Sequence, residues 1–318
     1  MSTYLLRRLA WGVLVLFGVS ILVFLIMQLV PSDPARAALG PSAKASDIAA
    51  LRHQMGLDRP LIAQYFSYLG GLLHGDLGQS LSLSVPVSDI MLPRLLDTVI
   101  LAAGTLVICV VLGVLIGIAA GRRGGSLFDR VVMFVALAGA SVPVYWAALV
   151  VISVFALSLG WFPTSGMHDV RAPGGLTDVL RHLLLPAAVT AVVPTAIIAR
   201  LTRATMIEAL QQDSVRLLRA SGVPERLIVW RHAVRNIVPS VVNIIGLQVG
   251  YLLGGVIFTE VVFNWPGLGS QLYTAITAND LPVIQSGVLF IAVVFVLVNL
   301  LADVAVTMSN PRTRGATR

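Results

Sequence analysis

Six apolar runs of about 20 residues interrupt this chain, and no soluble fold of its length could hide them all. They fall at Leu9–Val30, Thr98–Ala120, Val131–Leu157, Leu183–Ile198, Ser240–Phe258 and Val283–Thr307. Runs of that length cross the roughly 30 Å hydrocarbon core as helices. In lipid the backbone must satisfy its own hydrogen bonds, so a spanning segment is a helix or part of a closed barrel. Composition agrees, with 57% hydrophobic and 12% charged residues and a mean hydropathy of +0.90. The predicted fold class is therefore an all-α integral membrane protein with six transmembrane helices. Pro143 is expected to kink the third span, and the fourth is short and carries Pro186 and Pro194. The first run follows Arg7 and Arg8, is longer than a secretory signal core and leads straight into Pro31-Ser32-Asp33, so it reads as an uncleaved helix.

Charge sets the expected orientation. Residues 1–8, 121–130, 199–239 and 308–318 share one side and carry 15 Lys/Arg against 4 Asp/Glu. The opposite loops, 31–97, 158–182 and 259–282, carry 7 basic and 10 acidic residues. The basic side, with both termini, is expected in the cytoplasm. The overall charge of +7 thus reports topology and anionic headgroups, and no basic-aromatic module points to nucleic acid.

Several chemistries find no support. Cys109, the sole cysteine, cannot form an internal disulfide or a metal site. Lys44, the only lysine, sits between alanines and makes no phosphate-binding loop. Gly139-Ala-Ser141 lacks a membrane-embedded base, which argues against a serine protease. His53, His74 and His168 are scattered. Asp303, with Asn299 one turn earlier, is a possible intramembrane polar pair and would suit an ion- or proton-coupled secondary transporter. Its place near the cytoplasmic end favours a structural role. Gly113/Gly117 and Gly250/Gly254 read as close helix-packing pairs.

Two loops are structured by their residues. Segment 31–97 holds a polar helical patch at Ser46–Met55, an amphipathic Leu61–Leu73 and the turn-rich His74-Gly-Asp-Leu-Gly-Gln-Ser80, so it is expected to form a small extracytoplasmic helical region. Segment 199–239 reads as two helices about an elbow. The first continues the fourth span through Arg219, Gly222 takes the position after the helix end, and Pro224 opens a second helix to Asn236. Pro239 is expected to start the fifth span.

Arg219-Ala-Ser-Gly222, preceded by Asp213-x-Val-Arg216 and followed by Trp230-Arg-His-Ala-Val-Arg-Asn236, resembles the coupling loop of dipeptide/oligopeptide ABC permeases. The broader importer pattern is Glu-Ala-Ala, three residues, then Gly. Anchored on Gly222, its first three positions are Arg216, Leu217 and Leu218, so the acid is absent, as in the peptide branch. Glu208-Ala-Leu210 fails because Ser214 stands where Gly should. Leu29-Val-Pro-Ser-Asp-Pro34, Leu57-Asp-Arg-Pro60, Gly75-Asp-Leu-Gly78, Phe263-Asn-Trp-Pro-Gly-Leu-Gly269 and Asn310-Pro-Arg312 also resemble that branch, in order along the chain.

The resemblance implies the B-type subunit of a type I importer, whose core spans 98–307 here. Its partners would be a second homologous permease, two cytoplasmic ABC ATPases and an extracytoplasmic substrate-binding protein. The chain itself would be no enzyme and hold no cofactor, with ATP and Mg bound by the ATPases. Asp213, Arg216, Arg219, Ala220, Ser221 and Gly222 would contact the motor, the small residues by close approach and the arginines by pairing with acids.

Overall fold

The structure, a computed structural model, describes residues 2–29, 34–40, 43–54, 56–169 and 174–309. The Pro31-Ser32-Asp33 box and Asn310-Pro-Arg312 lie outside the described residues. The elements are helices α1 (Ser2–Leu29), α2 (Pro34–Leu39), α3 (Ala45–Gln54), α4 (Leu61–Leu73), α5 (Val87–Arg122), α6 (Leu127–Ala140), α7 (Val144–Val151), α8 (Gly175–Gln211), α9 (Asp213–Ala220), α10 (Glu225–Leu227), α11 (Val234–Val262), α12 (Leu268–Thr277) and α13 (Leu281–Ser309). A π-helical turn, Ile152–Ser158, extends α7, and another, Ile228–Ala233, joins α10 to α11. Among the described residues, extended pairing is limited to a bridge between Gln79 and Pro86.

As far as they are described, the predicted apolar runs are helical apart from a break in the third at 141–143, but the helices overrun the runs. The second span belongs to α5, which starts at Val87, and the fourth to α8, which runs from Gly175 to Gln211 straight through Pro186 and Pro194. Hydropathy marks the lipid-facing stretch only, and polar ends continue the same hydrogen-bond ladder into water. Among the described residues, five helices are long and apolar enough to cross a membrane, and a sixth span forms if α6 and the α7 segment count as one. Those two are bent by 99°, so the kink expected at Pro143 is a full break. Proline has no N–H to continue the ladder, and Pro143 caps the start of α7 in extended geometry (φ −58°, ψ 132°).

Contacts divide the chain into two compact units, Met1–Asp97 with Pro266–Leu297, and Thr98–Trp265 with Val298–Arg318. In the first, Val87, Ile90 and Met91 of α5 pack with Leu268 and Ala275 of α12 and with Leu281, Val283 and Ile284 of α13. Asp280, almost fully buried, ties the turn at 80–82 to the α12–α13 corner. It accepts from Ser80 Oγ (2.5 Å), Ser82 Oγ (2.7 Å) and the Leu81 and Ser82 amides (each 3.1 Å). Burial pushes its carboxyl up, but these donors outweigh burial and hold it below the ordinary carboxylate value.

In the second unit, α8 is the central helix. Gly113, Gly117 and Gly121 share one face of α5, and each lets the backbones approach. A Cβ on Gly113 would lie 2.8 Å from Ile198 Cβ, and one on Gly117 would lie 2.6 Å from Thr202 Cβ and 2.7 Å from the Ala199 carbonyl. On Gly121 it would lie 2.7 Å from Met206 Cβ. The second glycine pair is uneven. Gly250 makes room for Asn299, whose Cγ would sit 3.0 Å from an added Cβ, whereas nothing approaches Gly254 within 4 Å.

Most buried polar groups described in this unit are matched, Thr202 Oγ1 and Gln248 Oε1 being the exceptions. Thr98 Oγ1 donates to Glu260 Oε1 at 2.6 Å, with both residues almost fully enclosed. Thr190 Oγ1 lies 2.7 Å from both Pro186 O and Thr259 Oγ1. Arg203 of α8 forms a two-pronged ion pair with Asp129 of α6, which also accepts from the Gly125 amide. Sequence placed Asp129 and Glu260 in loops; both lie in helices.

Gly117→Ala should lower the thermal midpoint of the detergent-extracted protein by the equivalent of about 1–3 kcal/mol, the usual cost of overpacking. Gly254→Ala, with open space opposite, should leave the midpoint unchanged or raise it slightly. Equal effects at both positions would mean that α5 and α8 are not held at glycine-limited distance.

The Asp280 knot should depend on pH with a definite sign. An unfolded Asp titrates near 3.9, and the folded value is lower, so the knot stabilises fully above about 4 and weakens as pH falls through the folded value. Amide exchange at Leu81 and Ser82 should stay protected at neutral pH and rise only in acid. Asp280→Asn should abolish that dependence and raise exchange at pH 7.

Candidate functional site

Helix α8 stops where Gln212 turns extended (φ −60°, ψ 147°), so the expected continuous helix through Arg219 is broken one residue before Asp213. The break starts α9 as a separate helix. Asp213 lies in its first turn, where a negative charge suits the helix dipole. Val215 is buried, while Asp213, Ser214, Arg216, Leu217 and Ala220 are exposed. One side of α9 is therefore anchored, and the other is open for about two turns.

The elbow that follows is a Schellman motif. Gly222 N–H donates to Arg219 O at 3.0 Å, and Val223 N–H to Leu218 O at 3.1 Å. Gly222 takes φ +76°, the left-handed region that side chains with a Cβ disfavour. Pro224 then caps the next helix instead of occupying its first turn. Pro239 does not begin the fifth span either. It sits inside α11, because one stripe (Val229, Ala233, Ile237 and Val241) runs unbroken past it and packs with Met206, Ala209 and Ile118.

Arg219 is bound within the loop. Its Nε and Nη2 reach the two oxygens of Glu225 at 3.0 and 2.7 Å, and Nη1 reaches Leu210 O at 3.3 Å. The Glu225 carboxylate beside it raises the pKa of the guanidinium. One side chain thus braces α9 against α10 and the last turn of α8. Arg216 bonds Asp213 at 3.3 Å, with both side chains mostly in solvent, so it stays available at the surface. Sequence reasoning missed Glu225, which lies six positions from Arg219 across an elbow, and Leu217, a large exposed apolar residue (68%). The signal for Leu217 was present, since the helical period that buries Val215 and half-buries Leu218 turns it outward.

The structure brings Asp213, Arg216, Arg219, Ala220, Ser221 and Gly222 together on the α9 elbow. Asn299 and Asp303 lie elsewhere, on α13, where Asn299 packs against Gly250 and Asp303 is half-buried. A separate polar pocket of about 510 Å³, lined by Thr164, Ser165, His168, Asp169, Asp178, Arg181 and His182 among others, surrounds Asp178. That carboxylate accepts from the Asp169 and Gly174 amides and meets His182 Nδ1 at 3.1 Å, so it ties both residues to α8. Among the described residues, no group of three or more His, Cys, Asp or Glu is arranged to hold a metal ion.

Gly222→Asn should keep the elbow, because Asn tolerates the left-handed region. Gly222→Val should cost about 1–2 kcal/mol locally and speed amide exchange at Val223, since open space around the Cβ leaves conformation as the only obstacle. Equal exchange in the two variants would contradict this.

Comparison with known proteins fits these observations. Residues 113–315 match the family model described as "Binding-protein-dependent transport system inner membrane component", and residues 1–102 match its N-terminal companion. The di/tripeptide transport system permease protein of Pseudomonas aeruginosa is 38% identical over 333 residues, covering 99% of each chain. The dipeptide transport system permease protein of Alkalihalophilus pseudofirmus is 38% identical, covering 98% of this chain and 99% of its own. The glutathione transport system permease protein of Escherichia coli is 39% identical, again covering 99% of each. With both family models matched along the chain and full-length relatives of this kind, the chain belongs to the binding-protein-dependent transport system inner membrane components, as a member of the dipeptide/oligopeptide ABC permeases.

Proposed function

We propose that this chain is the transmembrane permease subunit of an ATP-driven importer of di- or oligopeptides. It forms half of the translocation pore with a second homologous permease, couples to two cytoplasmic ABC ATPases and receives substrate from an extracytoplasmic binding protein. Both termini and the α9 elbow face the cytoplasm, on the side where the basic residues gather. The peptide reading rests on the relatives, whose names cover di/tripeptides, dipeptides and glutathione, itself a tripeptide.

The observation that carries the coupling role is the two-sided build of α9. Its outer face presents Asp213, Arg216, Leu217 and Ala220, while Val215 and the Arg219–Glu225–Leu210 brace hold its inner side. A motor that binds the outer face differently in its ATP-bound and ATP-free states shifts the equilibrium of whatever moves with that face. Because the brace ties α9 to both α8 and α10, the displacement passes into α8 and α11. Arg216 and Leu217 are the motor contacts in this scheme, and Arg219 is a strut that positions them.

Affinity purification from the native membrane should recover a second permease and ATPase subunits, with hydrolysis stimulated by the binding protein. A lone homo-oligomer without ATPase would overturn the proposal and return attention to Asp303 as an ion-coupling site. The strut is tested separately. Arg219→Glu should reduce peptide uptake severalfold, and Arg219→Glu with Glu225→Arg should restore most of it. If the double exchange fails to rescue, Arg219 acts on the motor and not on Glu225.

A further inference from the structure

Helix α4 lies where a water-exposed cap should not. Its 13 residues, LIAQYFSYLGGLL, include no charged side chain and no histidine. Its partner is the middle and Leu29 end of α1, itself a membrane span with mean hydropathy 2.8 and little of its surface buried in protein. Tyr65 hydroxyl bonds Ser20 Oγ at 2.8 Å, and its ring meets Phe17 and Phe24 at centroid distances of 6.4 and 5.4 Å. Ser20 is nine residues before Leu29, or about 13 Å along the helix axis. The contact therefore falls within the apolar stretch of α1, Leu6–Leu29, whichever way α1 is oriented.

Three of the four polar side chains of α4, Gln64, Tyr65 and Tyr68, are hydrogen-bonded, as lipid requires. Gln64 Nε2 donates to the Leu57 and Arg59 carbonyls at 3.0 and 2.8 Å, and Ser20 Oγ, besides meeting Tyr65, reaches Phe17 O at 2.8 Å. Unpaired, such groups would each cost several kcal/mol in hydrocarbon. At about 20 Å long α4 is too short to span. Ile62 and Phe66 nevertheless face outward, 73% and 63% exposed, which suits acyl chains and not water.

Between the two helices runs an apolar groove of about 280 Å³, lined by Ile21, Phe24 and Leu25 of α1 and Leu61, Ile62, Tyr65 and Phe66 of α4. An apolar cavity of about 150 Å³ holds a benzene-sized ligand, and this one is larger and open. Its walls continue into the exposed face of α1 at Leu22 and Ile26, so the medium beside it is hydrocarbon. We propose that α4 is a re-entrant helix embedded in the leaflet at the Leu29 end of α1, and that the groove seats an acyl chain of a phospholipid. Each methylene removed from alternative exposure gains little, but a chain filling the groove keeps α4 packed on α1 without leaving a void. The site is independent of the transported substrate.

The test uses the assembled transporter in its native membrane, with a benzophenone amino acid at Ile62. Illumination should give an adduct with the mass of one phospholipid, and filling the groove by Leu25→Trp should reduce its yield severalfold. An adduct with a polypeptide would mean that a partner helix occupies the groove. Absence of any adduct would place α4 in water. A phospholipid adduct unchanged by Leu25→Trp would report bulk lipid only. Each of these three results overturns the proposal.

Discussion

The close approach of α5 and α8 is the constraint on which the second unit of the structure rests. Hydrocarbon offers no hydrophobic drive between apolar helices, so association depends on dispersion contacts and buried hydrogen bonds. Gly113, Gly117 and Gly121 supply the first by removing every Cβ along one face of α5. The Asp129–Arg203 pair between α6 and α8 supplies the second. A buried ion pair adds little net stability but makes separation of its members costly. Helix α8 is thus held from two sides, and the unit that carries the elbow has a rigid central member.

That rigidity gives α9 its meaning. A short surface helix on a flexible tether could bind a partner without transmitting anything. Here α9 follows α8 after a single extended residue, closes in a Schellman motif at Gly222 and is braced by Arg219 to Glu225 and Leu210. The exposed pair alone would contribute at most about 1 kcal/mol, so its value lies in geometry. It fixes where Arg216 and Leu217 project, and the α8–α11 stripe behind it is continuous from Val229 to Val241.

Much of this was legible in the residues, and the misses have physical causes. Apolar length identified the spans, but not where helices end, because the ladder continues into water without a hydropathy signal. Gly222 was readable from its neighbours, since glycine followed two residues later by proline marks a helix end and a new start. The paired glycines were ambiguous. Gly113/Gly117 and Gly250/Gly254 have the same spacing, yet Gly254 faces open space, and only the opposing helix decides which is a contact. Arg219 and Glu225 were both visible as charges, but their pairing needs the elbow folded first. Helix α4 was read as an amphipathic part of a small extracytoplasmic helical region, and its lack of charged side chains is what carries the leaflet placement proposed for it.

If α9 is the surface that a motor grips, its outward side chains must be covered in the working assembly and bare without it. Leu217→Cys offers the direct readout, since the natural Cys109 is buried and silent to a membrane-impermeant maleimide. In inside-out vesicles, labelling at 217 should be strongly protected while the ATPase subunits are bound and should recover once they are stripped away. Equal labelling with and without the ATPases would contradict the role assigned to the elbow.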